Sequence, residues 1–189
     1  MTFQGRWSAA IGGGACALLV VLWSAAAGLK DGGAVVTGAP EVLYAPEDKP
    51  ADRLVALYKG ARHEIFIATY GLTYPPVVKA LVAAKKRGVD VCIITDRGKL
   101  DDRNQRSALE TLRLAGVPIR INRHDGLMHM KQVVVDGLVN TSGSMNQTSS
   151  AALFNDERLD ILHDAASTQR AKEKFLKMWA DHARYEDWR

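Results

Sequence analysis

The chain has 189 residues, 47% of them hydrophobic and 24% charged, with a formal net charge of +4. That length holds one domain with a sizeable core, and the mildly basic balance is compatible with a polyanionic substrate without by itself pointing to one. Of two cysteines, Cys16 falls in the N-terminal leader and Cys92 in a buried-strand pattern, so a chain cleaved after the leader has no internal disulfide.

Residues 1–27 carry Arg6, an apolar heart at Leu18–Trp23 and the small-residue run Ala25-Ala26-Ala27. This is the layout of a secretory signal peptide. The alternative is an uncleaved membrane anchor, because no charge stands between Arg6 and Lys30 and that length can span a bilayer. Either way the domain is expected to be exported, to the periplasm or beyond. Residues 28–40 are Gly-rich and read as a linker, leaving 41–189 as the folded domain.

Glu41–Ala45 reads as a first strand. Leu54, Leu57 and Tyr58 have helical spacing within 51–61. Glu64–Tyr70 is strongly β. Pro75-Pro76 opens a helix that stops at Gly88, and Val89–Thr95 is a near-continuous apolar strand of the kind buried on both faces. A polar loop with Asp96, Arg97, Lys99 and Arg103 leads to a helix over 104–115 and a strand over 117–122. A short helical or irregular piece is expected over 147–154 and a strand over 157–163. A final helix is expected over 167–185, with Ala171, Phe175, Met178, Trp179 and His182 as its apolar stripe. The alternation predicts an α/β fold, a mixed β-sheet sandwiched between helix layers.

The chemistry gathers between 129 and 146. Met130–Val135 is rich in β-branched residues, and Asp136-Gly137 is a dipeptide favoured in two-residue hairpin turns. A turn centred there pairs Val135 with Leu138, Lys131 with Ser142 and His129 with Ser144. His129, Lys131, Ser142 and Ser144 then share one face, with Asn146 nearby. Lys supplies a compact positive charge and Ser and Asn neutral hydrogen bonds, a set that can hold a phosphodiester. His is a nucleophile or proton carrier near neutral pH. Asp136 has the opposite parity and sits at the turn, which suits a scaffold residue.

His129-x-Lys131-x4-Asp136 followed by Gly143-Ser144-x-Asn146 resembles the signature of the phospholipase D superfamily, and most of all its small bacterial nucleases with one such motif per chain. The similarity runs from about Val42 to Trp188 and includes Tyr44-Ala45-Pro46, the Lys79–Val91 helix and strand, and Asn155-Asp156-Glu157. The resemblance implies a metal-independent phosphodiesterase without cofactor. His129 is the implied nucleophile, and Lys131, Ser144 and Asn146 hold the phosphate. Asp136 completes the motif, and Glu157 is the downstream acid that orients the histidine.

A histidine bonded to phosphorus cannot also protonate the leaving group, so a second general acid is needed. His63, His124, His163 and His182 lack a Lys at that spacing. A two-fold dimer would supply a second His129, as the resemblance also implies. DNA or RNA is the expected substrate. The alternatives are a lipid such as cardiolipin, cleaved by the same residues, and a silent nucleic-acid or membrane-binding module. The intact His129, Lys131, Asn146 and Glu157 speak against the last. Arg97, Lys99 and Arg103 are candidates for guiding a nucleic-acid backbone, and Tyr70 and Tyr74 for lining the cleft. A His124–His129 metal pair has no acidic or Cys ligands at suitable spacing nearby.

Overall fold

The computed structural model describes residues 38–189. The leader and most of the linker lie outside the described residues. Eight strands form one sheet in the order β1-β7-β6-β5-β2-β3-β4-β8. They are β1 (Gly38–Ala45), β2 (Glu64–Thr69), β3 (Asp90–Thr95), β4 (Ile119–Asn122), β5 (Lys131–Val135), β6 (Val139–Gly143), β7 (Glu157–His163) and β8 (Tyr185–Asp187). The helices are α1 (Pro50–Gly60), α2 (Pro75–Lys86), α3 (Arg103–Leu114), α4 (Ser149–Leu153) and α5 (Ala165–Ala180). Strands β2, β3 and β4 are parallel, and every other pairing is antiparallel. The expected mixed sheet between helix layers is what forms.

The central strands are apolar on both faces because both faces are covered. Ile65, Ile67, Val91, Ile93, Val133 and Val135 point into a core shared with α1 to α4. Phe66, Ala68, Cys92, Ile94 and Val134 point the other way, onto Ala171, Phe175 and Met178 of α5. There Phe66 and Phe175 stack with ring centroids 4.9 Å apart. Cys92 belongs to this second core, and burial pushes its thiol up to about 12, an inert packing residue as expected. Among the described residues no helix is long and apolar enough to cross a membrane.

Three local expectations need correction. β1 begins at Gly38, inside the span read as linker, because Gly38 already pairs with His163. The last helix stops at Ala180, not Tyr185, and the chain turns back to lay Tyr185–Asp187 against β4. Arg120, 7% exposed, anchors that return. Its guanidinium bonds Asp187 at 2.9 Å and the carbonyl of Trp179. His182 therefore lies past the helix, exposed, with Nδ1 3.3 Å from Arg120, and is no part of the apolar stripe.

The third correction is the hairpin register. Asp136 and Gly137 take the left-handed conformation, with φ of 54° and 65°, and Leu138 N–H donates to the Val135 carbonyl at 3.0 Å. This is the two-residue turn expected. Val135, however, pairs with Val139, and Val134 with Asn140. Leu138 is an extra residue, 71% exposed. One residue of slip changes which side chains share a face, so Lys131 does not oppose Ser142, nor His129 Ser144. Beyond Val134 the two strands separate, and the Thr141 hydroxyl takes the Val133 N–H at 3.0 Å.

Candidate active site

β5 enters the sheet antiparallel to β2, with Lys131 opposite Thr69. The start of β5 therefore meets the end of β2, and His129 and Lys131 stand at the carboxyl ends of the parallel strands. Open α/β sheets place their sites at that edge. Lys131 has the parity of Val133, which puts it on the α1–α4 side.

His129 is exposed and Lys131 half-buried. The Lys131 ammonium lies 3.1 Å from Nδ1 and 3.2 Å from Nε2 of His129 and donates to the His129 carbonyl at 2.9 Å. Burial lowers the Lys131 pKa, and the Glu157 carboxylate opposes that shift. The Tyr70 ring lies 4.8 Å from the imidazole, tilted by 56°. The same ring carries Lys131 at 5.5 Å and Lys99 at 4.8 Å from its centroid. Tyr70 thus lines the cleft, and the basic loop reaches it through Lys99.

The Gly-Ser-x-Asn segment is placed by β7 rather than by β5. Gly143 sits at φ 139°, and a Cβ on it would fall 2.1 Å from the Arg158 carbonyl oxygen, so a side chain there is excluded. Ser144 and Arg158 bond backbone to backbone at 3.0 Å, and Arg158 N–H donates to the Ser144 hydroxyl at 3.1 Å. That hydroxyl donates to Glu157, whose other oxygen accepts from Asn155 at 3.2 Å. Glu157 thus holds Ser144 and Asn155, and no hydrogen bond joins it to the His129 ring that the resemblance implies it orients, whose two nitrogens face Lys131. Asn146 is half-buried, and its Oδ1 has no hydrogen-bond partner.

Asp136 is at the far end of the hairpin. Its carboxylate accepts N–H bonds from Arg62 at 3.0 Å, His63 at 2.8 Å and Glu64 at 3.0 Å. Burial would raise its pKa, but those three backbone donors outweigh burial and hold it below the ordinary value. It ties the hairpin tip to the start of β2.

Two supports carried no separate signal in the sequence. Asp96, 1% exposed, accepts from Met128 N–H at 2.7 Å and Gly98 N–H at 2.9 Å. It fixes the segment entering His129 and the turn that presents Lys99. Its position at the end of a buried parallel strand was the only available cue. Gln147 clamps the other side. Its carbonyl accepts from Thr73 and Tyr74 N–H, its own N–H donates to Gly71, and its Oε1 accepts from Tyr58. His124 packs edge-on against Tyr185 at 5.7 Å, away from any ligand set. Among the described residues no three His, Cys, Asp or Glu side chains are grouped as metal ligands.

Beside Tyr70 and Asn146 opens a cavity of about 900 Å³ between α2 and α3.

Residues 54–179 match the family model described as cardiolipin synthase, PLD-like domain. The chain is 30% identical over 135 residues to the mitochondrial cardiolipin hydrolase of Xenopus tropicalis, covering 71% of this chain and 63% of that protein. It is 31% identical over 119 residues to phospholipase D of Rickettsia conorii, covering 63% and 56%. It spans about three fifths of the length of these curated relatives. Among solved structures, the phospholipase D family member Nuc from Salmonella typhimurium superposes with a TM-score of 0.74 at 29% identity, over 80% of this chain and 98% of that one. NucT from Helicobacter pylori superposes with a TM-score of 0.66 at 21% identity, which speaks to the fold alone.

Proposed function

The chain belongs to the phospholipase D superfamily, whose hydrolases act on phosphodiester bonds, and we propose that it is an exported nuclease that cleaves DNA or RNA without a metal ion, as a two-fold dimer. The observation that carries the reading is the exposed His129 with the Lys131 ammonium against both its ring nitrogens. Near-complete coverage of the Salmonella Nuc chain supports the small one-motif type.

In this reading the scissile phosphate draws the Lys131 ammonium from the imidazole to a non-bridging oxygen, which frees a ring nitrogen. That nitrogen attacks phosphorus, forming a P–N bond as the P–O bond to the leaving group breaks. The alkoxide takes its proton from the His129 of a second copy. Water then attacks the phosphohistidine, gives its proton to that second imidazole and breaks the P–N bond. Lys131 and Asn146 stabilise charge on the phosphoryl oxygens, with Ser144 beside them. Glu157 positions Ser144 and steadies the centre. Asp136 stays structural. Export rests on residues 1–27, which lie outside the described residues.

The test is hydrolysis of DNA, RNA and cardiolipin vesicles by wild type and His129→Ala, each with chelator present. Wild-type cleavage of nucleic acid, lost in the variant, is the expected result. Activity abolished by chelator, or an active monomer by sedimentation at assay concentration, defeats the corresponding part.

A second reading, lipid hydrolysis, draws on a specific feature. Leu127 is 59% exposed, Leu153 49% and Phe154 78%, all close in sequence to His129 or Glu157. Such apolar residues suit a membrane surface. Phe154→Ser that cuts vesicle hydrolysis at least about fivefold while leaving DNA cleavage unchanged would favour it.

A further inference from the structure

We infer that the cavity beside Tyr70 and Asn146 is the subsite for a nucleoside next to the scissile phosphate, with Lys79 and Lys99 receiving the following phosphate. This rests on the nuclease reading above. The volume, about 900 Å³, is at the upper end of the roughly 300–1,000 Å³ of ordinary small-molecule sites. A chain of contacts leads into it from the reacting centre. The Tyr70 ring stands 4.8 Å from the His129 ring, and Lys99 lies over the same tyrosine ring, again at 4.8 Å from its centroid. A diester on His129 therefore presents one of its two esterified groups to the Tyr70 side.

The lining says which group fits. Val78, Val82 and Ala108 give an apolar floor, and Ser107, Thr111 and Thr148 give hydroxyls around it. An acyl chain would strip water from the hydrogen-bonding capacity those hydroxyls have left and return nothing. A nucleoside has an aromatic face for the floor and for Tyr70, and polar edges for the hydroxyls. The Ser107 hydroxyl can both donate and accept, Thr148, which accepts from Ala151 N–H at 3.3 Å, keeps its proton to donate, and Thr111, which donates to the Ser107 carbonyl at 2.9 Å, keeps a lone pair to accept, so the set offers both a donor and an acceptor to a base edge.

The charges agree. Asp102 lines the same space, but its carboxylate is engaged at the start of α3, accepting from Asn104 N–H at 2.8 Å and Gln105 N–H at 3.3 Å. Gln105 is spent on Leu72 N–H at 2.7 Å and the Thr95 hydroxyl at 3.1 Å. Among the described residues neither Lys79 nor Lys99 has an ion-pair partner, and with two ammonium groups against the one Asp102 carboxylate the lining stays net positive.

Ser107 is exposed on α3, so Ser107→Trp fills the cavity from its wall without touching the core or the reacting groups. Steady-state kinetics on a short DNA oligonucleotide and on methyl 4-nitrophenyl phosphate, a diester with neither sugar nor second phosphate, read the effect. The expected result is an oligonucleotide KM raised about tenfold or more, with kcat and small-diester hydrolysis within about twofold of wild type. The retained small-diester rate also reports that the variant is folded. Lys79→Ala, a surface change, should lower the slope of log KM against log salt by about one.

An unchanged oligonucleotide KM in both variants overturns the subsite and leaves the nuclease reading standing. Equal loss on both substrates by a folded Ser107→Trp also overturns it, as does a selective loss on cardiolipin vesicles. A wild type that cleaves neither DNA nor RNA removes the nuclease reading first, and the subsite with it.

Discussion

The hairpin that carries the motif has two ends of opposite character. At the turn, Asp136 is fully spoken for, with three backbone N–H groups on one carboxylate. At the open end, His129 is exposed, Lys131 is lowered in pKa by burial, and the Asn146 oxygen has no partner. Satisfied polar groups hold folds together, whereas unsatisfied ones are available to a ligand. One motif thus contains a fold residue and reactive residues seven positions apart, and the local hydrogen bonding separates them. Substitutions at the two ends should fail in different ways.

The largest effect belongs to the open end. His129→Ala should cut phosphodiester hydrolysis at least about 10⁴-fold and leave the melting temperature within about 2 °C, since an exposed ring contributes little packing. Its melting curve and turnover, measured together, check this. A large loss of stability with partial activity would reverse the assignment.

Asp136→Ala should do the opposite. It removes the acceptor for three N–H groups at a residue with φ 54°, where Ala is disfavoured. Hydrogen bonds to charged groups suggest a cost of about 2–3 kcal/mol, or about 4–12 °C in melting temperature for a domain of this size. Turnover per folded molecule at low temperature should stay within about threefold. Asn, which tolerates this φ and keeps one acceptor oxygen, should recover part of the loss. A folded but inactive Asp136→Ala would make Asp136 part of the chemistry.

The same contrast governs what could be read without a structure. Strands β2, β3 and β5 were legible because burial on both faces leaves runs such as Ile65–Ala68 and Val133–Val135. The reactive residues were legible because their spacing is fixed along one short strand and its return. β8 was not legible. It is three residues long, and an ion pair from Arg120 to Asp187, 67 positions away, holds it. The hairpin register was not legible for a smaller reason, since nothing in Asp136-Gly137 announces that Leu138 stays outside the ladder. The cavity was invisible because Val78 and Ser107 are unremarkable in their own helices, Thr148 is an ordinary cap ahead of α4, and the three meet only in the fold.

The smallest expected effect lies at the sheet edge, on a contact that resembles the Asp136 anchor but is open to water. Glu41 bonds Arg53 through both oxygens at 2.7 Å and meets His163 at 3.0 Å. The Arg53 guanidinium, with help from His163, lowers the Glu41 pKa to about 2. A depressed carboxylate stabilises the fold fully above its unfolded value, about 4.3, and that contribution is lost as pH falls through the folded value. Glu41 and Arg53 are each about one-third exposed, so solvent screening holds the contribution to about 1 kcal/mol or less. Glu41→Gln should therefore lower the melting temperature by no more than about 2–4 °C at pH 7, with the difference closing toward pH 2 and no change in turnover. A deficit that persists undiminished at pH 2 would mean that the packing of β1 on β7, rather than the charge, was what the substitution removed.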